Sequence, residues 1–146
     1  MTSRPVSVVD PAPSCTVELR VRYAETDQMG VVYHANYLAW CEVGRTELIR
    51  KYGRSYAEIE QLGVALAVSD AALRYHAPAR YDDLVRVTTT LTDMRSRSMS
   101  FAYVISHVER GTKLVTASTT LIGLDSSGRI ARLPQELRAA LGLTDA

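Results

Sequence analysis

Apolar residues recur at two different spacings along this chain, and the switches between them mark its elements. From Cys15 to Tyr23 they alternate, with Val17, Leu19, Val21 and Tyr23 on one side and Glu18, Arg20 and Arg22 on the other. That is the pattern of a half-exposed strand. After a turn-rich stretch the spacing becomes helical. Tyr37, Trp40, Cys41, Gly44, Leu48 and Tyr52 fall on one stripe, and Leu38, Val43 and Ile49 widen it. The spacing predicts a long helix beginning between His34 and Asn36, with Asn36 as its cap, and ending at Gly53, which suits a left-handed C-terminal cap. On its polar side Glu47 precedes Lys51 by one turn, and Glu42 is placed to pair with Arg45. So wide a stripe implies a helix covered on most sides, as by a sheet wrapped around it.

The remainder reads mainly as strands. Ser55-Tyr-Ala-Glu58 is a capping box that opens a short second helix, closed by Leu62-Gly63. Val64–His76 reads as a strand long enough to carry a bend, and Pro78–Asp83 as a connection. Leu84–Met94 alternates with Val85, Val87 and Leu91 inward; Ser98–Val108 alternates with Met99, Phe101, Tyr103 and Ile105 inward. Glu109–Thr112 forms a tight turn into the last long strand, Lys113–Leu124. Asp125–Gly128 turns the chain into a short Arg129–Leu133 segment, and Pro134 opens a small helix, Gln135–Leu141. Short turns make the late strands antiparallel neighbours. The class is α+β, one long helix on one sheet, in a single domain over residues 15–146. Residues 1–14, with three prolines and no periodicity, read as a mobile tail.

Composition narrows the function classes. A formal net charge of +1 over 146 residues argues against a large nucleic-acid surface. No apolar run is long enough to cross a membrane. The first residues lack a charged-then-apolar leader pattern, and Cys15 and Cys41 are too few for a disulfide framework. The expectation is a cytoplasmic protein with reduced thiols.

The candidate chemistry lies between the first strand and the long helix. Asp27 is an isolated acid just before the helix, and Gly30 lets the connecting backbone turn sharply. A helix N-terminus offers unpaired N–H groups and a partial positive charge, which together can hold a developing oxyanion. An acid beside such a site suits acyl transfer. By spacing alone Asp27 also fits an ordinary turn residue.

The run Asp27-Gln-Met-Gly30-Val31-Val32-Tyr33-His34-Ala-Asn36-Tyr37 closely resembles the signature of hotdog-fold acyl-CoA thioesterases of the 4-hydroxybenzoyl-CoA thioesterase family, especially those of Tol-Pal gene clusters. The resemblance extends from about Val17 to about Leu133 with the same element order. It implies an antiparallel sheet of five or six strands wrapped around the helix. It makes Asp27 the catalytic carboxylate and the backbone N–H of His34 the group that polarises the thioester carbonyl. It also places Arg95-Ser96-Arg97, a small basic turn, where the family holds the nucleotide phosphates of coenzyme A; arginine suits phosphate through paired donors. Edge-to-edge dimers, often paired again into tetramers, are implied as well.

Thioester hydrolysis needs no strong nucleophile, because sulfur stabilises the carbonyl poorly and a thiolate leaves readily. Asp27 could attack the carbonyl to form a mixed anhydride or deprotonate a water, and the sequence does not choose. His34 as acid, base or metal ligand is the weaker reading; no second ligand at metal spacing accompanies it, so no metal is expected. His76 and His107 read as packing or surface residues. Glu42 is a minor catalytic candidate, while Tyr33 and Tyr37, with Gly30, Val31 and Val32, border the expected substrate pocket. No cofactor is expected, coenzyme A being part of the substrate. The leading function is hydrolysis of acyl-CoA thioesters by a homo-oligomer. Alternatives are hydrolysis of acyl groups on acyl carrier protein and non-catalytic acyl-CoA binding. An open strand edge beside the helix independently favours at least a dimer.

Overall fold

The computed structural model describes residues 12–53 and 55–141. Its strands are β1 (Ser14–Arg20), β2 (Ala65–Tyr75), β3 (Leu84–Met94), β4 (Ser98–His107) and β5 (Lys113–Leu124). They form one antiparallel five-stranded sheet in the order β1-β3-β4-β5-β2. Helix α1 (Asn36–Lys51) packs on one face; α2 (Tyr56–Gln61) and α3 (Gln135–Ala140) are short. This is the α+β hotdog architecture, and five strands settle the expected five or six. The short segment after β5 adds only an isolated bridge between Leu124 and Ile130.

The period-two pattern decides which side of the sheet the helix meets. Val85, Val87, Leu91, Met99, Phe101, Tyr103 and Ile105 all turn inward and are fully buried against Tyr37, Trp40, Cys41, Leu48 and Ile49 of α1. Burying side chains of this size stabilises by about 1.5–3 kcal/mol each. The outward face of β4 alternates instead through Ser98, Ser100, Ala102, Val104 and Ser106, as suits a face turned to water. Ser55 Oγ accepts the Glu58 N–H at 3.2 Å, so Ser55 is the N-cap that opens α2.

Several local expectations are corrected. Asn36 does not cap α1: Ala35 occupies the cap position with no side-chain bond, and Asn36 Nδ2 donates to the Glu25 carbonyl at 2.8 Å. Leu38 and Val43 do not join the buried stripe; they are 39% and 37% exposed, because the sheet covers one face of α1 rather than wrapping it fully. Tyr23 leaves the strand pattern. It opens a 3-10 turn, Tyr23–Glu25, and stands 77% exposed, edge-on to Tyr81 with ring centroids 5.5 Å apart. Arg45 turns inward, where its Nε donates to Tyr56 Oη at 3.0 Å instead of pairing with Glu42. Glu47 bonds Arg50 rather than Lys51, whose Nζ reaches the Ser14 carbonyl at 3.0 Å. Most of the tail expected over residues 1–14 lies outside the described residues; within them, Ser14 pairs with Thr90, and the Leu91 N–H donates to the Pro13 carbonyl at 2.9 Å.

Gly44 is the point of closest approach between helix and sheet. A Cβ there would stand 2.3 Å from Thr89 Oγ1 and 3.0 Å from Val87 Cγ1. Thr89 Oγ1 is buried without a hydrogen-bond partner among the described residues, so this side chain occupies space left by the missing Cβ rather than serving a polar network. Gly44→Ala should therefore destabilise by about 1–3 kcal/mol despite alanine's better helix propensity. Thr89→Ala in the same chain should return part of that loss, measured as non-additivity in denaturant unfolding. A Gly44→Ala protein as stable as the parent would contradict the contact.

Candidate active site

The loop from Thr26 to Val32 is a tight hairpin set against α1. An isolated bridge pairs Thr26 with Val32. At its tip the Asp27 N–H donates to the Val31 carbonyl at 2.9 Å, and the Gly30 N–H donates to the Asp27 carbonyl at 3.0 Å. Gly30 sits at φ +79°, left-handed backbone that favours glycine. Asp27 Oδ1 accepts the Met29 N–H at 2.8 Å. Its Oδ2 meets no hydrogen-bond partner among the described residues. One carboxylate oxygen is thus fixed by the turn, and the other has no such anchor.

The far limb of the hairpin is pinned to the connection before β3. Val31 bridges Arg80, and the buried Val32 donates its N–H to the Ala79 carbonyl at 2.9 Å. The Tyr37 hydroxyl accepts the Ala79 N–H at 3.1 Å, which ties the first turn of α1 to the same connection. Val32, His34, Tyr37, Tyr75, His76, Ala77 and Pro78 line an open cleft of about 260 Å³ between the start of α1 and the end of β2. Tyr75 Oη donates to the His34 carbonyl at 3.2 Å, while the His34 N–H has no acceptor among the described residues. This arrangement fits an oxyanion donor at a helix start.

Of the residues singled out in the sequence, the structure brings Val32, His34 and Tyr37 to one cleft and sets Asp27, Gly30 and Val31 on the adjoining hairpin. Tyr33 is half-exposed and packs on the His34 ring at 4.4 Å. Arg95, Ser96 and Arg97 are not brought to this site within one chain. They form the β3–β4 turn, and the hairpin is anchored beside the other end of β3; eleven residues of strand, on the order of 30 Å, lie between. Arg95 Nε bonds Asp93 Oδ2 at 2.9 Å, and the Ser96 carbonyl accepts the Leu133 N–H. Glu42 lies on the exposed face of α1, beside Val43 and Thr46 and away from the cleft. Burial pushes the Cys41 thiol up to about 12, so it offers no thiolate at neutral pH.

Sequence reasoning missed three contributors. Tyr75 and His76 line the cleft from β2 and its end, with His76 Nε2 2.9 Å from Thr116 Oγ1; chain separation hid them. Glu25, 8% exposed, is the third. Its carboxylate accepts the Trp40 indole N–H and the Arg22 backbone N–H, both at 2.8 Å. Burial alone would raise Glu25. The bonds from Arg22 and Trp40, with the Arg22 guanidinium, outweigh it and hold the carboxyl below its ordinary value.

An antiparallel sheet packed on one helix, with a carboxylate hairpin at the helix start, defines a hotdog-fold protein of thioesterase type. The chain belongs to the thioesterase-like superfamily, whose family model matches residues 21–141. It is 47% identical over 88 residues to YneP of Bacillus subtilis, assigned by name to the acyl-CoA thioesterases; that match covers 60% of this chain and 64% of the relative. It is 38% identical over 107 residues to the acyl-CoA thioester hydrolase YbgC of Escherichia coli, covering 73% of this chain and 79% of YbgC. Among solved structures it resembles a DHNA-CoA thioesterase from Staphylococcus aureus with a TM-score of 0.79 and 36% identity, over 82% of this chain and 80% of that one.

A carboxylate held below its ordinary value adds stability that is present above that value and lost as pH falls through the folded one. Wild type should therefore exceed Glu25→Gln in stability near neutral pH, and the gap should narrow as pH drops below 4.5. Thermal unfolding of both proteins across an acid series checks this; a gap that widens on acidification would contradict it.

Proposed function

We propose that this chain hydrolyses acyl-CoA thioesters to the free acid and coenzyme A, with Asp27 as the reacting carboxylate. The observation that carries the reading is the disposition of Asp27: one oxygen anchored by Met29, the other without a partner among the described residues, on a hairpin leading directly to a His34 N–H that likewise has no acceptor among them, at the start of α1. The thioester carbonyl oxygen takes the His34 N–H, so charge developing there meets a fixed donor and the positive end of α1. Asp27 Oδ2 either adds to the carbonyl carbon, expelling coenzyme A thiolate to leave an anhydride that water opens, or takes a proton from an attacking water. The apolar wall of Val32, Tyr37, Ala77 and Pro78 receives the acyl group.

The working unit in this reading is a homo-oligomer, at least a dimer. β1 is a short edge carrying Glu18 and Arg20 in seven residues, whereas β2 is a longer edge of eleven residues, paired among the described residues only with β5, that carries Asp70 and Arg74 and exposes Val68 and Tyr75. Long, weakly charged edges invite pairing. A two-fold pairing of β2 with its copy runs antiparallel, so the Tyr75 end of one subunit meets the Ala65 end of the other. Ala65 pairs with Leu124, and Ser98 with Ile122, so the partner's β3–β4 turn arrives at this subunit's cleft. The partner's Arg95 and Arg97 then hold the nucleotide phosphates that this subunit's own turn, on the order of 30 Å away, does not reach.

Asp27→Asn keeps shape and removes the reacting carboxylate. Its kcat should fall by on the order of a hundredfold or more, with KM nearly unchanged. Full retained turnover in a folded variant would refute the assignment. Subunit mixing tests the composite site. Asp27→Asn chains and chains with both Arg95→Ala and Arg97→Ala, refolded together and assayed well below KM, should recover about a quarter of wild-type activity, because half the dimers carry one intact site. If each arginine pair serves its own subunit's Asp27, mixing restores nothing.

A further inference from the structure

We propose that Glu25 is a positioning residue for the reaction: it clamps both limbs of the Asp27 hairpin to the start of α1 and thereby aligns Asp27 with the His34 N–H. The proposal rests on the function argued above and adds a residue that takes no part in bond making. Glu25 accepts four hydrogen bonds. Its side chain accepts the Trp40 indole N–H at Oε2 and the Arg22 backbone N–H at Oε1. Its carbonyl accepts the Tyr33 N–H at 2.9 Å and Asn36 Nδ2 at 2.8 Å. Arg22 enters the hairpin, Tyr33 leaves it, Asn36 opens the helix, and Trp40 lies one turn further on. All four are therefore registered to Glu25, which stands two residues before Asp27 and in reach of the segment ending at His34.

The clamp demands an ionised carboxylate rather than any polar group. Two N–H donors face the two oxygens, so both oxygens must accept. A glutamine presents one acceptor and one N–H₂ group, and whichever way it turns, a donor faces a donor. The Trp40 ring is 3% exposed and set edge-on to Tyr37, with centroids 5.0 Å apart, so it cannot swing aside without disturbing the cleft wall. An anion nearly out of water would normally destabilise the fold, and here that cost is offset by bonds whose common effect is to fix the reactive loop. Among the described residues Asp27 itself has only turn bonds to Met29, Gly30 and Val31 to orient it. Those set its direction within the hairpin, and Glu25 sets the hairpin against the helix.

The test pairs Glu25→Gln with Trp40→Phe, which removes the indole donor while keeping an aromatic ring. Amide chemical shifts and exchange of Met29, Gly30, Tyr33 and His34 report the hairpin; amides of β3 to β5 report the fold. In both variants the Met29, Gly30 and Tyr33 amides should shift and lose protection and the His34 amide should shift, while the sheet amides stay unchanged. Per folded molecule, kcat for an acyl-CoA thioester should fall roughly tenfold to a hundredfold, as for a small misplacement of a reacting group, with KM within about twofold. The double variant should be little worse than either single one, because both break the same clamp. Hairpin amides that keep their positions in both variants would overturn the proposal whatever the activity. A displaced hairpin with kcat unchanged, or a kcat loss that only tracks the unfolded fraction, would also overturn it. Should the wild-type chain release no thiol from any acyl-CoA while the hairpin still moves as expected, the clamp stands and the thioesterase reading fails.

Discussion

The close seating of α1 on β3 at Gly44 is the constraint on which the rest of this molecule depends. With no side chain at that point, the helix backbone comes to within contact of Thr89 and Val87. The wide stripe of Tyr37, Trp40, Cys41 and Leu48 is thereby pressed into the inward faces of β3 and β4. A helix held this tightly has a fixed N-terminus. Its first turn cannot rotate without lifting Trp40 and Tyr37 out of the core. The hairpin bearing Asp27 is then hung between two fixed bodies, the helix start and the connection through Ala79 and Arg80. The reactive geometry is a by-product of core packing rather than of loop sequence alone.

The same packing explains why one chain supplies only part of the proposed site. The sheet covers one face of α1 and ends in the exposed edge of β2, so the cleft between the start of α1 and Tyr75 and His76 stays open beside that edge. Strand length then separates the hairpin from the basic turn by most of the molecule. Antiparallel pairing across a two-fold axis reverses that separation, bringing opposite ends of two sheets together. In the proposed dimer a short chain gains a long ligand site in this way, with each subunit lending its carboxylate end and its arginine end to different pockets.

Much of this was legible in the sequence because alternation and helical spacing are local properties. The inward residues of β3 and β4, the α2 N-cap at Ser55, and the turn at Gly30 all follow from neighbours within a few positions. The carboxylate hairpin was legible through the length of its motif. The failures share a different cause. Asn36 reads as a cap because its type and position suit one, yet the Glu25 carbonyl outcompetes the helix N–H groups for its side chain. Arg45 reads as a partner of Glu42, but the buried phenol of Tyr103 and the partly buried one of Tyr56 draw it beneath the sheet. Leu38 and Val43 read as core because periodicity does not say how much of a helix a single sheet covers. Glu25 itself is indistinguishable from a solvated turn acid until Trp40 is seen to fold over it.

The central claim is catalytic, and a direct assay decides it. Purified chain would be given a panel of coenzyme A thioesters, straight-chain acyl groups of graded length together with aromatic ones, and free thiol release would be followed against time. The account predicts saturable release, proportional to enzyme, from at least one acyl class. Saturable binding of those thioesters with no thiol release above the uncatalysed rate from any of them would contradict it, and would make this chain a binding protein built on a thioesterase fold.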